Sequence, residues 1–508
     1  MHPYRHAAAT PDKAAVIVAE TGAVTTYAEL DAASNRVAQF FRSKGLEAGE
    51  RVAFFLTNVP DYFALAWGAQ RCGLRFVCIS SKLTASEVDY ILSDSGAKLL
   101  VAGAPLAETA SALTTEIERL SLGGDVPGFA RLEALLAAQP ATPVADETAG
   151  AGMLYSSGTT GRPKGILSAM PADPAIDHAT PLAMLAHGFF GLGPDSVYLS
   201  TAPLYHAAPL GWTMTVHKLG GTVVLMSKFD AEASLKFIEQ YKCNSGQFVP
   251  THFVRMLKLP EEIRARYNVS SLKCAIHAAA PCPVPVKRAM IDWWGPVIDE
   301  YYAGTEANGF TAIKAAQWLE RPGSVGTCIG EAKLHICDED DVSVGPGVEG
   351  TVYFEGPRPF EYHNDPERTA ASRNRHSWTT LGDVGRVDEA GYLFLTDRKS
   401  FMIISGGVNI YPQEIENHLV THPKVADVAV IGAPHDDLGE QVVAVVQPLD
   451  MADADDALRD ELIAYARTAL SGVKTPRRID FMAELPRHDT GKLYKRLIRD
   501  AYWAKEVQ

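Results

Sequence analysis

The sequence predicts an α/β protein, with a large N-terminal domain of α/β subdomains plus a small β subdomain, and a small α+β C-terminal domain. Three observations carry that expectation. Short apolar runs alternate with amphipathic stretches along most of the chain, which is the pattern of βαβ units rather than of an all-β sandwich. Hydrophobic residues make up 47% and charged residues 21%, enough for a sizeable core and far from disordered, collagen-like or disulfide-scaffold compositions. The length of 508 residues exceeds one ordinary domain and suits two to four at roughly 150 residues each.

The elements follow in order. Thr26 and Glu29 form a capping-box pattern, and Leu30, Ala33, Val37 and Phe40 continue at helical spacing. Strands are expected at 51–57, 98–102, 196–201, 222–226, 274–278 and 297–301. Residues 137–150 are small, polar and proline-containing, which reads as a surface loop or a subdomain joint. From 325 to 354 glycines become frequent and β character rises, predicting a small β subdomain. After a Gly-rich turn, a helix at 412–421 and strands at 427–431 and 441–447 make a unit of about 110 residues.

Charge and cysteine use exclude several classes. Acids outnumber bases by 61 to 47, a net charge of −14. A duplex-binding protein needs a basic face, so no nucleic-acid partner is expected, although a local basic pocket for phosphates remains open. The seven cysteines are scattered and include no CxxC pair, so zinc or redox roles are not indicated. No signal peptide or transmembrane run is visible. A cytoplasmic enzyme without integral membrane association is expected.

Residues 154–165, LYSSGTTGRPKG, hold the strongest local signal. Gly158, Gly161 and Gly165 permit positive φ, so successive backbone N–H groups can converge on an anion. Ser156, Ser157, Thr159 and Thr160 offer hydroxyls, and Lys164 a point charge. It is not a Walker A loop, because Gly165 follows the lysine. The same residues would also describe a plain flexible loop, but a strand end in front and Pro-Lys-Gly behind argue against that. Elsewhere Gly345–Gly350 matches GxGxxG with a proline inside and a strand-like run after it, so it reads as a β-turn. GxSxG and HExxH are absent.

SSGTTGRPKG resembles the phosphate-loop signature of the adenylate-forming superfamily of acyl-CoA synthetases, aryl-CoA ligases, adenylation domains and luciferases. Other motifs resemble that family in its own order. EYYAGTE at 300–306 would place Tyr302 on adenine, Thr305 on the α-phosphate and Glu306 on Mg²⁺, with Thr159 as a second metal-side group; taken alone, Glu306 would be an ordinary helix-start acid. WTTLGD at 378–383 would put Asp383 on the ribose, with Leu381 where the family usually has threonine. DRK at 397–399 would add Arg398 at the ribose, and Ser400 stands where the family has an Asp or Lys hinge. SGGVNIYPQE would line a pantetheine tunnel, with Gly406 and Gly407 passing close to a thin chain. LPRHDTGK at 485–492 would bring Lys492 to the substrate carboxylate. Lys492, Lys495, Arg496 and Arg499 also form a basic stripe opposite Leu493, Leu497 and Ala501, the usual form of a solvated helix face.

The resemblance implies an N-terminal AMP-binding domain over 1–399 and a mobile lid over 400–508. It implies ATP, Mg²⁺ and coenzyme A as cofactors and a small-molecule carboxylic acid as partner, with a homodimer left open. Lys164, Glu306, Thr159, Lys492 and His206 would be the catalytic set. The acyl pocket would be built from Ala207, Trp212, Phe248, His277, Ala278, Ala279, Ala280 and Gly304. His206 stands where amino-acid-activating relatives carry an aspartate, so an amino acid is not the expected substrate. The chain looks most like bacterial fatty-acyl-CoA synthetases, including those for bulky catabolic acids, so medium- or long-chain fatty, aryl-alkanoic or steroid side-chain acids would suit. Two alternatives stay open: an adenylation enzyme that loads a carrier protein, and a non-catalytic acyl- or nucleotide-binding homologue.

Overall fold

The computed structural model describes residues 1–156, 163–356, 360–398, 401–487 and 493–504. Two large sheets dominate the described residues. One has eight strands in the spatial order Glu361–Tyr362, Lys164–Leu167, Ala151–Ser156, Arg75–Ile79, Arg51–Phe55, Leu99–Gly103, Glu118–Leu122 and Ala130–Arg131. It is parallel from Ala151–Ser156 onward. The other has nine, ordered Thr327–Cys328, Phe310–Ile313, Ile298–Ala303, Cys274–His277, Ser245–Phe248, Val197–Ser200, Thr222–Leu225, Ala14–Val18 and Val24–Thr26. Its middle is parallel and only the two ends are antiparallel.

The capping box at Thr26 forms as expected, with Thr26 N donating to Glu29 Oε2 at 2.8 Å and Glu29 N to Thr26 Oγ1 at 3.2 Å. Helix Tyr27–Ser43 starts there and buries Leu30, Val37, Phe40 and Phe41. It approaches helix Asp61–Arg71 so closely that a Cβ on Gly68 would lie 2.4 Å from Val37 Cγ1. One apolar core joins these helices to both sheets, through Phe54 and Phe76 on one and Tyr198 and Val223 on the other, with Trp67 and Trp212 between.

Residues 138–150 are a loop and not a joint between subdomains. Strands before and after them, Arg75–Ile79 and Ala151–Ser156, pair in the same sheet. Arg71, 1% exposed, holds the loop by bonding Glu147 and, from the neighbouring helix, Asp31. The β-rich region becomes a four-stranded antiparallel sheet of Lys333–Cys337, Gly350–Glu355, Asp383–Val387 and Leu393–Arg398. The GxGxxG stretch is a turn at 346–347 leading into a strand, as its proline predicts.

A further sheet uses only residues from Ile403 on: Val408–Ile410, Ile403–Ser405, Gly439–Pro448 and Val425–His435, with Arg478–Phe481 beside Gly439–Pro448. Helices Pro412–Leu419 and Asp456–Arg467 close its own core on Ile415, Leu419, Val430 and Leu462. Helix Lys495–Ala504 departs from the expected solvated basic stripe. Lys495 is buried, 2.9 Å from Glu416 Oε1, while Leu497 is 60% exposed. The carboxylate on the facing helix gives the ammonium a reason to turn inward that helical periodicity does not contain.

Candidate active site

Two adjoining cavities of about 1040 and 800 Å³ lie where the sheets and the C-terminal unit meet, and Ala279, Tyr301, Ala303 and Arg398 line both. The larger begins at the end of strand Ala151–Ser156. Ser156 pairs with Lys164 across the first antiparallel step of the sheet, and both line the cavity. Ser157, Gly158, Thr159, Thr160 and Gly161 lie outside the described residues, as do Lys492 and Ser400.

Beside Lys164, the Tyr362 hydroxyl donates to Glu306 Oε1 at 2.9 Å, and Lys164 Nζ sits 5.5 Å from the Tyr362 ring centroid. Burial lowers the Lys164 pKa and Arg368 adds to that, against the pull of Glu306. Glu306 is in a turn, not at a helix start. Thr305 and Gly304 line the same wall. Tyr362 was not legible as a site residue: it follows no motif, and only the pairing of Glu361–Tyr362 with Lys164–Leu167 brings it in.

Tyr302, Asp383 and Arg398, the residues the resemblance would put on the nucleotide, lie together. Tyr302 Oη donates to Asp383 Oδ2 at 2.6 Å, and Arg398 Nε donates to Asp383 Oδ1 at 2.9 Å. Asp383 and the nearby charges raise the pKa of Arg398. Tyr302 is also pushed up, by burial first and then by Asp383, so its phenol stays a donor. The neighbouring Asp397 accepts from Gln413 N at 3.0 Å and so ties the start of helix Pro412–Leu419 to this strand.

The apolar arm of the larger cavity runs along helix Ala207–Leu219. His206 precedes the helix with its ring 4.4 Å from that of Tyr205. Ala207, Trp212, Ala278 and Ala279 line the cavity, and Ala280 lines the smaller one. Ala279 has φ +76°, a left-handed backbone that costs a non-glycine residue, at the point where the two cavities join. Phe248 and His277 line neither cavity, a correction to the expected pocket. In the sheet register Phe248 is opposite His277 and His277 opposite Glu300. All three therefore point to one face, while Gln247 and Tyr301 point to the other. Phe248 packs against Trp294 and Phe253. His277, fully buried, lies 3.3 Å from Glu300, which Lys287 approaches at 2.6 Å.

Gly406 and Gly407, with φ +56° and +80°, form the two-residue turn between paired Ser405 and Val408, and they line neither cavity. Hairpins of this kind favour Gly-Gly for that backbone alone. The smaller cavity instead faces Glu416, Asn417, Asp427, Arg487 and Lys495 across from Arg255 and Lys258. Arg487 bonds both oxygens of Asp427. Together with Lys495–Glu416, it anchors the chain on both sides of residues 488–492. The cysteines are all unpaired, and burial pushes their thiols up, Cys72, Cys78 and Cys243 to about 12. That is the opposite of an activated nucleophile.

Among the described residues no helix is long and apolar enough to cross a membrane. The model of the AMP-binding enzyme family matches residues 4–361, and that of the AMP-binding enzyme C-terminal domain matches 414–492. A feruloyl-CoA synthase of Amycolatopsis sp is 34% identical over 98% of this chain and 97% of its own. A long-chain-fatty-acid–CoA ligase, FadD13, of Mycobacterium tuberculosis is 30% identical over 98% and 97%. The crystal structure of ATP-bound MatB from Rhodopseudomonas palustris superposes with a TM-score of 0.81 at 27% identity, covering 99% of both chains. With matched motifs, sheets and domains across nearly its whole length, the chain belongs to the AMP-binding enzymes, the adenylate-forming acid–thiol ligases of the acyl-CoA synthetase superfamily.

Proposed function

We propose that the protein is an ATP-dependent acyl-CoA ligase for a hydrophobic carboxylic acid, of the medium- or long-chain fatty, aryl-alkanoic or steroid side-chain type. One observation carries this reading. An apolar arm lined by Ala207, Trp212 and Ala278 opens into the same cavity as Lys164, Glu306 and Arg398, so a greasy acid and a polyanion can meet there.

Asp383, held by Tyr302 and Arg398, offers its carboxylate to the ribose hydroxyls. Lys164 and Arg398 set positive charge beside the phosphates, which offsets the repulsion between two anionic reactants. Glu306 suits Mg²⁺: it is a lone carboxylate, and no group of three or more His, Cys, Asp or Glu able to hold a metal occurs among the described residues. That fits a hard cation ligated mainly by phosphate oxygens. Mg²⁺, when bound, would neutralise phosphate charge as pyrophosphate departs.

In the first half-reaction a carboxylate oxygen attacks the α-phosphorus and pyrophosphate leaves, with Lys492 bridging carboxylate and phosphate. In the second, the coenzyme A thiol attacks the acyl carbon, its proton passes to solvent, and AMP leaves. Residues 400–508 act as a lid that turns about Ser400 between the two steps. His206 and Gly304 border the reacting carboxylate, and the enzyme works in the cytoplasm.

The test is AMP release from ATP and Mg²⁺ with a panel of acids, with and without coenzyme A. Coenzyme-A-dependent release is expected. Pyrophosphate exchange without thioester would point to carrier-protein loading, and no turnover across the panel would reject the reading.

A further inference from the structure

Asp94 lies in the last turn of helix Ala85–Ser95, a place to which its residue type is poorly suited. Aspartate is a weak helix former, and a negative charge at a helix C-terminus meets the negative end of the dipole. Its partners lie outside the helix. Tyr155 Oη donates to Asp94 Oδ2 at 2.6 Å, and Asn364 Nδ2 to Oδ1 at 3.2 Å. The backbone carbonyl of Asp94 accepts from His363 Nε2 at 2.9 Å and from Asn364 Nδ2 at 3.3 Å. A carbonyl can only accept, so His363 Nε2 carries a proton. Asn364 has φ +55°, a left-handed backbone that asparagine tolerates better than most residues.

These partners adjoin residues of the active site. Tyr155 lines the larger cavity, as do Ser156, Lys164 and Tyr362, and Asp94 stands behind them. In the antiparallel register Tyr155 pairs with Gly165 and Ser156 with Lys164. Gly165 O accepts from His363 N at 2.8 Å, next to the pairing of Tyr362 with Ile166. A Cβ on Gly165 would lie 3.0 Å from His363 Cβ and 3.1 Å from Tyr155 Cζ, so the two side chains close over that glycine. Side chains alternate along a strand: Tyr155 and His363 reach Asp94, while Lys164 and Tyr362 take the opposite face, where Tyr362 holds Glu306. The Tyr155 pKa is raised by burial and then by the Asp94 carboxylate, so the phenol stays a donor.

We propose that Asp94 is a positioning residue for the triphosphate of ATP: by tying Tyr155 to His363 and Asn364, it fixes the placement of Lys164 relative to Glu306. Only the identity of the anion rests on the ligase reading. Asp94 joins three stretches of chain that are far apart in sequence. Without it, the strand pair that carries Lys164 is free to shift against the segment that carries Tyr362, and small displacements of charged groups are costly in such a site. The apolar arm along Ala207, Trp212 and Ala278 shares none of these contacts, so acid binding should not feel the change.

The test measures the MgATP dissociation constant by calorimetry without acid, and KM for ATP and for the acid in turnover. Asp94→Ala should weaken MgATP binding and raise KM for ATP about tenfold, with KM for the acid unchanged. Asp94→Asn, which keeps an acceptor for Tyr155, should recover part of that loss. Tyr155→Phe should weaken MgATP binding as well, but add little to Asp94→Ala, because both remove the same bond. Asn364→Gly keeps the left-handed turn and deletes the amide; it should show a smaller loss of the same kind and decides the matter if Asp94→Ala does not fold. MgATP binding unaltered in these variants overturns the inference, as does a loss confined to kcat or an equal rise in KM for the acid. Wild-type protein that binds no MgATP would instead reject the ligase reading, and this inference with it.

Discussion

Leu381 occupies the space that a side chain on Gly304 would need. A Cβ on Gly304 would lie 2.2 Å from Leu381 Cδ1 and 2.9 Å from Glu306 Oε2. Leu381 packs on the small cluster of Ile166, Phe360 and Tyr362. It therefore stiffens the wall that carries Tyr362 and, through it, Glu306.

Gly304→Ala should push Leu381 toward the cavity and disturb Glu306. Overpacking of this kind costs about 1–3 kcal/mol, so kcat/KM for AMP release should fall roughly tenfold. Adding Leu381→Ala should recover most of the loss. An equal loss in the single and double variants would sink the steric account.

Asp383→Asn removes the charge that Arg398 and Tyr302 both address. Hydrogen bonds to a charged group contribute about 1.5–3 kcal/mol, so KM for ATP should rise on the order of tenfold to a hundredfold. Tyr302→Phe deletes one hydrogen bond to that carboxylate and leaves the Arg398 bond in place, so it should raise KM by less than Asp383→Asn does. Steady-state kinetics with ATP varied would expose a reversed order, which the geometry does not allow.

Lys287→Met tests the buried group behind the sheet. Burial alone would raise the Glu300 pKa, but His277 and Lys287 hold it down, to about 2. Without Lys287 the carboxylate is stranded, at a cost of about 3–5 kcal/mol. Lys287→Met with Glu300→Gln should recover a large part in urea denaturation. If the double variant were no more stable than the single, the ion pair would not be the cause.

Acid should weaken the fold from an unusually high pH. Burial holds His217 at about 4 and His252 at about 3, against an ordinary value of 6.5. In the folded chain His217 Nδ1 accepts from Trp67 Nε1 at 3.4 Å and Nε2 donates to the Ala15 carbonyl at 3.2 Å, so the neutral ring already has both partners. Below pH 6.5 the unfolded chain binds protons that the folded chain does not. Stability is thus full above pH 6.5 and falls as pH drops toward 4, by ~1.4 kcal/mol per pH unit for each histidine. Urea midpoints between pH 7 and 5 should show it, and His217→Gln should make the slope shallower by about one proton. An unchanged slope in that variant would be the contrary result.

Local chemistry explains which features were legible in the chain. Thr26 and Glu29 are three residues apart and cap one helix, so neighbours in sequence suffice. The strands at 51–57 and 222–226 show themselves as apolar runs, although the folded strands end at Phe55 and Leu225. Asp383 and Arg398 could be named because each sits in a compact motif, and the structure brings them to 2.9 Å. Lys495 was misread because its partner Glu416 is 79 positions away and leaves no trace in helical periodicity.

The amino-acid sequence by itself determined the α/β class, the family, the helix cap at Thr26 and the cluster of Tyr302, Asp383 and Arg398. Only the tertiary structure decided which strand residues point to the side of the sheet covered by helix Ala207–Leu219 and which to the other. A strand reverses the direction of its side chains at every residue, so a one-position ambiguity separates Gln247 from Phe248 and Tyr301 from Tyr302. Register with neighbouring strands resolves it, turning Phe248 and His277 into the core and setting Tyr301 and Gln247 against Trp212. Register is a property of paired strands far apart in the chain, and no single stretch of residues contains it.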